Sequence, residues 1–453
     1  MSQRQMALVA FMQAANVTVY AGSWRYPSAE LDFLTLPYYQ KIAQILEQGK
    51  FDMVFFDDRL AMPGVYGDSV ADSVRHGARV VKLDLLPVLG AMAASTRHIG
   101  LGATYSTTYY HPFHVARVFA SLDHLSGGRA AWNVVTSAND AEAQNFGYDD
   151  HLEHDTRYDR ADEFVAVVHG LWDTWDDDAL LLNREQGLFA DPDKVERLNH
   201  QGQWFRSRGP LTVPRPPQGY PLILQAGQSQ RGRQFAARWA DCVFTHAFSL
   251  AASKAHYAEQ KELVARYGRN PDEFKILPMV YVIVGETEAI AREKEALLLQ
   301  LVDPVASLVL LAELANYDFA RHGLDDLITD DLIQSMSGIR GVVEALAKHL
   351  GRENVTVRRL AEHRATINQA PRFVGTAQQV ADQMEVWFRE QACDGFVIAA
   401  THLPGTFEEF VRLVVPELQR RGLFRTAYSG RTLRENLGIR RPSRGEWRNR
   451  VAR

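Results

Sequence analysis

The sequence predicts an α/β protein with a (β/α)8 fold, a TIM barrel. Apolar, strand-like runs alternate with helical runs along the 453 residues, and such alternation indicates βα units around a parallel sheet. Barrels of this class often form one domain beyond the usual domain size. An open doubly wound sheet is the alternative, but no Gly-x-Gly-x-x-Gly follows any predicted strand. The sequence therefore favours the closed barrel.

The predicted strands are short apolar runs rich in β-branched and aromatic residues. In chain order they are Met6–Met12, Phe51–Asp57, Ile99–Thr107, Ala130–Ser137, Pro221–Ala226, Asp241–His246, Lys275–Val284 and Gly395–Ala399. The helical runs repeat apolar residues at three- and four-residue steps, as Ala161, Phe164 and Val168 do. They are Tyr38–Gln48, Leu85–Ser95, Phe113–Leu125, Arg160–Trp175, Gly232–Trp239, Ala251–Tyr267, Glu288–Leu301 and Phe407–Arg420.

Three segments exceed a minimal barrel, and we predict them as insertions into a single domain spanning residues 1–453. They cover about 59–82, 176–218 and 303–370, and the insertions that leave the C-terminal end of a strand should lie over the barrel mouth. A basic tail begins near residue 430 and gathers arginines from Arg440 onward. Such a tail is too charged to pack into its own core, so we expect it to lie across a neighbouring copy in a homodimer or homotetramer.

Composition excludes several classes of protein. With 46% hydrophobic and 23% charged residues the chain is neither disordered nor fibrous, and a net charge of −5 argues against nucleic-acid binding. No apolar run approaches the roughly 20 residues that cross a bilayer. The two cysteines, Cys242 and Cys393, lie in apolar runs without metal-site spacing. We therefore expect a cytoplasmic protein without a membrane anchor or a bound metal.

Polar residues interrupt this apolar pattern where strands end. Ser137 ends the fourth predicted strand, and His154, Arg157 and Tyr158 precede the helix that follows. Hydroxyl, imidazole and guanidinium donors beside a helix N-terminus suit a phosphate. Ser229 lies in the glycine-rich turn 227–232, before another helix.

Two further strand ends carry polar groups. Asp58 follows the second strand, and Thr104 and Ser106 share one face of the third. The chain contains no second glycine fingerprint and no Walker sequence. The sequence therefore predicts a site for a single phosphate rather than for a pyrophosphate.

Several motifs in a fixed order carry a resemblance over nearly the whole chain. They are Gly22–Arg25, Lys50–Asp58, Thr108–Pro112, Ser121–Arg129, Leu224–Gly227, Ser229–Gly232, Phe373–Thr376, Asp394–Phe396 and Val415–Leu418. Together they closely resemble the flavin-dependent monooxygenases of the nitrilotriacetate and dibenzothiophene-sulfone monooxygenase family, within the bacterial luciferase-like superfamily. The resemblance implies a barrel, reduced FMN, O2 and a separate NAD(P)H:flavin reductase. It also implies that Asp58, Thr104, His154 and Tyr158 contact the flavin.

An aromatic lining is predicted for the substrate pocket. Its members are Phe11, Val19, Phe55, Phe56 and Phe244, with His246 as the candidate catalytic proton donor. Arg25 and Arg59 are the only obvious cations at the predicted mouth. We therefore expect a small apolar aromatic, organosulfur or halogenated substrate.

Other interpretations remain open at this point. Dibenzothiophene-sulfone relatives carry a histidine at the position of Val19, and long-chain alkane relatives carry one at Ala138, so neither activity transfers directly. An aminopolycarboxylate monooxygenase, a deazaflavin-dependent oxidoreductase and a non-catalytic flavin-binding paralogue are the alternatives.

Overall fold

The computed structural model describes residues 4–18, 22–137, 139–246, 249–336, 343–344, 347, 350–351, 355–366 and 370–451. Its core is a closed barrel of eight parallel strands. The strands are β1 (Ala7–Gln13), β2 (Met53–Asp57), β3 (Gly100–Ser106), β4 (Ala130–Val135), β5 (Leu222–Gln225), β6 (Cys242–Thr245), β7 (Lys275–Val284) and β8 (Gly395–Ala399). Each strand pairs with the next one along the chain, and β7 and β8 pair at Met279 and Val397. The barrel is closed by the pairing of β8 with β1, at Phe396 and Leu8. The predicted fold class is confirmed.

The eight predicted strands all occur, with ends that differ by three residues or fewer. A strand that the sequence pattern did not suggest, Arg372–Gly375, pairs with the C-terminal half of β7. It is only four residues long and lies between two helices, so it gives little periodic signal.

The helices surround the barrel. They are Leu36–Gln48, Ala71–His76, Leu85–Ser95, Pro112–Ser126, Asp140–Asn145, His154–Trp172, Gln230–Trp239, Leu250–Arg266, Glu288–Gln300, Pro304–Ala315, Asp330–Gln334, Val357–Thr366, Ala377–Arg389, Gly405–Glu409, Val415–Arg420, Leu433–Leu437 and Glu446–Val451, with a π-helical turn at Phe410–Val414. Among the described residues no single helix is long and apolar enough to span a membrane, although the pair Glu288–Gln300 and Pro304–Ala315, bent by 75°, meets the length and composition together.

Strand alternation separates two apolar layers. Phe11, Phe55 and Phe244 belong to the cluster inside the barrel, whereas Phe56 packs in the layer between strands and helices, with its ring 6.4 Å from that of Tyr39. Successive strand residues point to opposite faces. The prediction that Phe56 lines the substrate pocket is therefore wrong.

Two of the insertions pack together over the C-terminal end of the barrel. Glu313, on the helix Pro304–Ala315, accepts hydrogen bonds from the backbone N–H groups of Gly64 and Val65 at 2.9 and 3.0 Å. A third apolar cluster joins the helix Pro304–Ala315 to the side chains of Val65 and Tyr66. The insertion at 176–218 instead follows a helix and forms two short hairpins, Leu180–Asn183 with Leu188–Ala190 and His200–Gln201 with Arg206–Ser207.

The basic tail packs on its own chain. Arg434 donates to Asp241 at 2.6 Å, and each side chain is 3% exposed. Farther along, Arg441 pairs with Asp177 and Arg444 with Asp176. Carboxylates of the same chain therefore neutralise these arginines, and the expectation that the tail lies across a neighbouring copy stays a prediction.

Candidate active site

A cavity of about 240 Å³ opens at the C-terminal ends of the strands. This is the face at which barrel enzymes carry out their chemistry. Its lining consists of Phe11, Phe55, Asp57, Arg59, Ala61, Pro63, Arg79, Lys82, Asn133, Val135, Ala226, Phe244, His246, Met279, Tyr281, Leu310, Glu313 and Leu314. The two packed insertions thus contribute residues to the site as well as covering it.

The apolar side of the cavity is a group of three phenylalanines, which we call the aromatic wall: Phe11, Phe55 and Phe244. Phe11 stacks on Phe244 with ring centres 5.8 Å apart and meets Phe55 edge-on at 5.3 Å. His246 lies beside this wall, with its ring perpendicular to that of Phe244 at 4.9 Å. The structure thus brings together three of the predicted substrate residues and the predicted catalytic histidine. Val19 lies outside the described residues.

Polar side chains of the barrel wall meet the cavity on another side. Asn133 interrupts the apolar run of β4 and donates to the Thr104 hydroxyl at 2.9 Å, while Thr104 donates to the Phe56 carbonyl at 2.7 Å. The amide oxygen of Asn133 is buried without a hydrogen-bond partner among the described residues. Such an atom costs free energy unless a ligand satisfies it. Sequence reasoning missed Asn133, although a polar residue inside a strand is the signal that drew attention to Thr104.

A glycine-lined cradle surrounds the hydroxyl of Tyr158. A methyl group added at Gly227 or Gly232 would lie 2.5 or 2.7 Å from that oxygen. The hydroxyl contacts Ser229 and Gln225, and Ser229 caps the helix Gln230–Trp239 by accepting from the N–H of Gly232 at 3.0 Å. Burial raises the pKa of Tyr158, so the phenol remains a donor at neutral pH. Ala226 lines the cavity directly before Gly227, so the cradle begins next to the cavity.

Arg157 is buried next to this cradle. Its side chain is 5% exposed and donates to the carbonyl of Ser137, a residue whose φ of 47° lies in the left-handed region. The Ser137 hydroxyl donates to Ser106 at 3.0 Å. The Arg157 Nε is buried without a partner among the described residues. Arg157 is therefore a buried donor beside the cradle and not part of a surface ion pair.

The helix behind these residues begins earlier than predicted, at His154 rather than Arg160. Glu153 caps it by accepting from the N–H groups of Asp155 and Thr156 at 2.9 and 3.0 Å. This carboxylate occupies the helix N-terminus that the sequence suggested for an anion. His154 pairs with Asp155 at 2.7 Å, and its ring lies 5.2 Å from that of Tyr158.

Cations line the side of the cavity formed by the insertion at 59–82, and sequence reasoning found only one of them. Arg59, Arg79 and Lys82 all contribute to the lining, whereas Arg25 binds the Leu301 carbonyl at 2.9 Å and is not part of it. Loop residues carry no periodicity, so Arg79 and Lys82 left no signal. Their charges, with that of Arg59, hold the pKa of Asp57 below its ordinary value even though burial opposes ionisation.

The pKa of Asp58 is shifted in the opposite direction to that of Asp57. Burial, with the charge of Asp57 beside it, raises its pKa to about 7, although Lys82 lies 3.9 Å away. The carboxyl side chain is 14% exposed, and it is not part of the cavity lining. Asp58 is thus a group that can exchange a proton near neutral pH.

The raised pKa of Asp58 predicts a pH-dependent stability. It favours the protonated carboxyl in the folded state, so the contribution of Asp58 to the free energy of unfolding is full below about pH 4 and is lost as the pH rises through 7. A tenfold change in an acid dissociation constant corresponds to about 1.4 kcal/mol. We expect Asp58→Asn in the flavin-free protein to gain stability over the wild type between pH 5 and pH 8 in urea unfolding. Asp68→Asn, at an exposed position of the same insertion, should show no such gain, and parallel pH curves for Asp58→Asn would contradict the assignment.

The arrangement fits a flavin mononucleotide. The phosphate requires several neutral and cationic donors, which the cradle and Arg157 provide. The ring requires polar partners beside an apolar space, and the amide oxygen of Asn133, which lines the cavity and has no hydrogen-bond partner among the described residues, is available there. Among the described residues no group of three or more histidine, cysteine, aspartate or glutamate side chains could hold a metal ion.

The chain is similar to known proteins over most of its length. Residues 12–394 match the family model described as luciferase-like monooxygenase. The dibenzothiophene-sulfone monooxygenase of Rhodococcus erythropolis is 48% identical over 97% of this chain and 98% of its own length. Component A of the nitrilotriacetate monooxygenase of Aminobacter aminovorans is 43% identical with the same coverage. A crystal structure of riboflavin lyase with modified FMN and riboflavin superposes with a TM-score of 0.86 at 32% identity, covering 96% of both chains.

Proposed function

We propose that this chain, which belongs to the luciferase-like monooxygenase family and is a flavin-dependent monooxygenase, is the oxygenase component of a two-component system. It takes reduced FMN from a separate NAD(P)H:flavin reductase and inserts one oxygen atom of O2 into a small organic substrate. The observation that carries the proposal is the position of the Tyr158 cradle, which begins one residue after Ala226 of the aromatic-walled cavity. The names of two-component relatives support it, and they do not favour the deazaflavin or storage alternatives.

The residues have separate tasks in this proposal. Tyr158, Ser229, Arg157 and Ser137 bind the phosphate, with His154 at its exposed edge. Asp58 and Thr104 contact the ring, directly or through Asn133. When bound, the reduced flavin supplies the electrons that activate O2.

The barrel interior positions the substrate. Phe11, Phe55 and Phe244 exclude water from the reacting centre, and His246 holds or delivers a proton there. Among the described cavity-lining residues His246 is the one imidazole, which supports this role.

The assembly and location are also proposals. The leucines at positions 31, 34 and 36 are exposed by 61%, 60% and 54%, and such an apolar surface supports a homodimer or homotetramer. We propose a cytoplasmic location because the buried Cys242 and Cys393 are free thiols.

The test is oxygen consumption with a generic flavin reductase and NADH. The panel should include sulfones, thioethers, haloaromatics, alkanes and aminopolycarboxylates. Turnover with FMN and a marked loss with riboflavin, which lacks the phosphate, would support the proposal. Tight binding of reduced FMN with no turnover on any compound would favour a non-catalytic paralogue instead.

The aromatic wall predicts a coupling defect. Phe244→Ala should raise the hydrogen peroxide released per O2 consumed several-fold, because a looser cavity admits water. The affinity for reduced FMN should stay nearly constant, since the cradle is elsewhere. Val243→Ala changes the neighbouring residue, which faces the outer layer, and should leave coupling unchanged. A flat peroxide ratio in Phe244→Ala would remove Phe244 from the substrate site.

A further inference from the structure

The three cations at the cavity, Arg59, Arg79 and Lys82, have donor groups that the described residues do not fully satisfy. The Lys82 side chain is 10% exposed and its ammonium group has no hydrogen-bond partner among the described residues. Its nearest carboxylate oxygens, on Asp57 and Asp58, are both 3.9 Å away. The Arg79 Nε is buried and also lacks a partner within the described chain. Neither Arg79 nor Arg59 forms a side-chain ion pair with any described residue.

The carboxylates of the cavity do not supply these acceptors. Glu313 already accepts from the backbone of Gly64 and Val65, and its second oxygen accepts from Asn139 at 2.8 Å. Asp57 accepts from Gln13 at 2.9 Å. These hydrogen bonds do not remove the charges of the carboxylates, so among the described lining residues the three cations outnumber the two carboxylates, Asp57 and Glu313, and the lining keeps a net positive charge.

The backbone indicates that this placement is not incidental. Arg79 has a φ of 57°, in the left-handed region that non-glycine residues seldom adopt. Such a conformation costs free energy and persists only where the surroundings impose it, often at functional sites. The cations also follow β2, whereas the cradle for the phosphate follows β4 and β5, with β3 lying between. Because the two sets of donors follow different strands of the barrel, we expect them to bind different groups.

We infer that the substrate is a small organic anion whose carboxylate or sulfonate is bound by Arg59, Arg79 and Lys82. The apolar remainder of the substrate packs on the aromatic wall and contains the atom to be oxygenated. This packing directs that atom towards the flavin. The inference rests on the proposed function for the reaction and adds the substrate class. It differs from the expectation of a small apolar aromatic, organosulfur or halogenated substrate by adding an anionic group, because that expectation counted only Arg25 and Arg59 as cations at the mouth.

A matched pair of probes tests the charge directly. (Phenylthio)acetate and (phenylthio)acetamide have nearly the same shape, and only the first is an anion. Calorimetry under anaerobic conditions, with and without reduced FMN, should show the acid binding the wild type about tenfold more tightly or better, the worth of a charge-assisted hydrogen bond. Arg79→Gln and Arg59→Gln should each remove most of that preference, while Lys82→Arg, which keeps the charge, should retain it.

The control is Arg75→Gln. Arg75 lies in the same insertion and is 70% exposed, and among the described residues its ion pair is with Asp72. The preference for the acid over the amide should therefore be unchanged in this variant. Equal affinity for the two probes in the wild type, or no binding of either, would overturn the inference. The inference would also be overturned if the Arg79→Gln and Arg59→Gln variants bound reduced FMN more weakly but bound the acid normally. In that case the cations would bind the flavin and not the substrate. A wild type that prefers the acid but does not bind reduced FMN would retain the anion site and refute the proposed function alone.

Discussion

Gly227→Ala is expected to lower the affinity for reduced FMN by about a hundredfold or more while the barrel remains folded. The added methyl group would lie 2.5 Å from the Tyr158 hydroxyl, closer than any tolerable contact. The hydroxyl must then move, and the hydrogen bond that we propose between it and the phosphate is lost together with the close approach of the backbone. Two charge-assisted hydrogen bonds contribute about 1.5–3 kcal/mol each, and about 1.4 kcal/mol corresponds to tenfold in affinity.

Gly90→Ala provides the matched control. Gly90 lies in the helix Leu85–Ser95, and a methyl group there meets nothing within 4 Å. Alanine in a helix is more stable than glycine by up to about 1 kcal/mol, so this variant should unfold later and bind flavin normally. Anaerobic fluorescence titration measures both affinities. If Gly227→Ala binds reduced FMN as tightly as the wild type, the phosphate does not lie in the cradle.

The barrel was predictable because each of its strands carries a strong local signal. A buried parallel strand is a nearly continuous apolar run, and the ten residues of β7 show this even in isolation. Chain order then leaves few topologies, since parallel strands require helical crossovers. The helix that begins at His154 shows the limit. Its first turn is polar, so the apolar period starts only at Ala161, and the capping role of Glu153 was overlooked.

The residues of the candidate site also fall into those that the sequence could predict and those that it could not. Phe11, Phe55 and Phe244 could be predicted because strand ends at the barrel mouth are fixed by the fold. Phe56 was misplaced because the period of two was not applied within β2. Arg79 and Lys82 could not be found at all, since their positions depend on how the insertion 59–82 packs under Glu313. Contacts between two irregular segments distant in sequence leave no local pattern.

The basic tail leads to the second large effect, on stability. Arg434→Met should lower the free energy of unfolding by about 3–5 kcal/mol, because it leaves Asp241 buried without its main partner. Arg434 also donates to the Tyr220 carbonyl at 2.9 Å, and Asp241 accepts from the N–H of Ile223 at 3.0 Å. The pair therefore joins the tail to the N-terminal ends of β5 and β6. Urea unfolding of the flavin-free protein measures the loss.

The acid limb of the stability curve separates this explanation from a simple packing defect. Burial opposes ionisation of Asp241, but Arg434, Arg450 and Arg269 lower its pKa to about 2. A depressed pKa contributes stability that is present above about pH 4 and is lost as the pH falls through 2. The difference in the free energy of unfolding between the wild type and Arg434→Met should therefore narrow as the pH falls below 4. Arg448→Met, at an exposed position of the same tail, should cost less than about 0.5 kcal/mol. A gap that stays constant at low pH would mean that Arg434 acts through its packing and not through its charge.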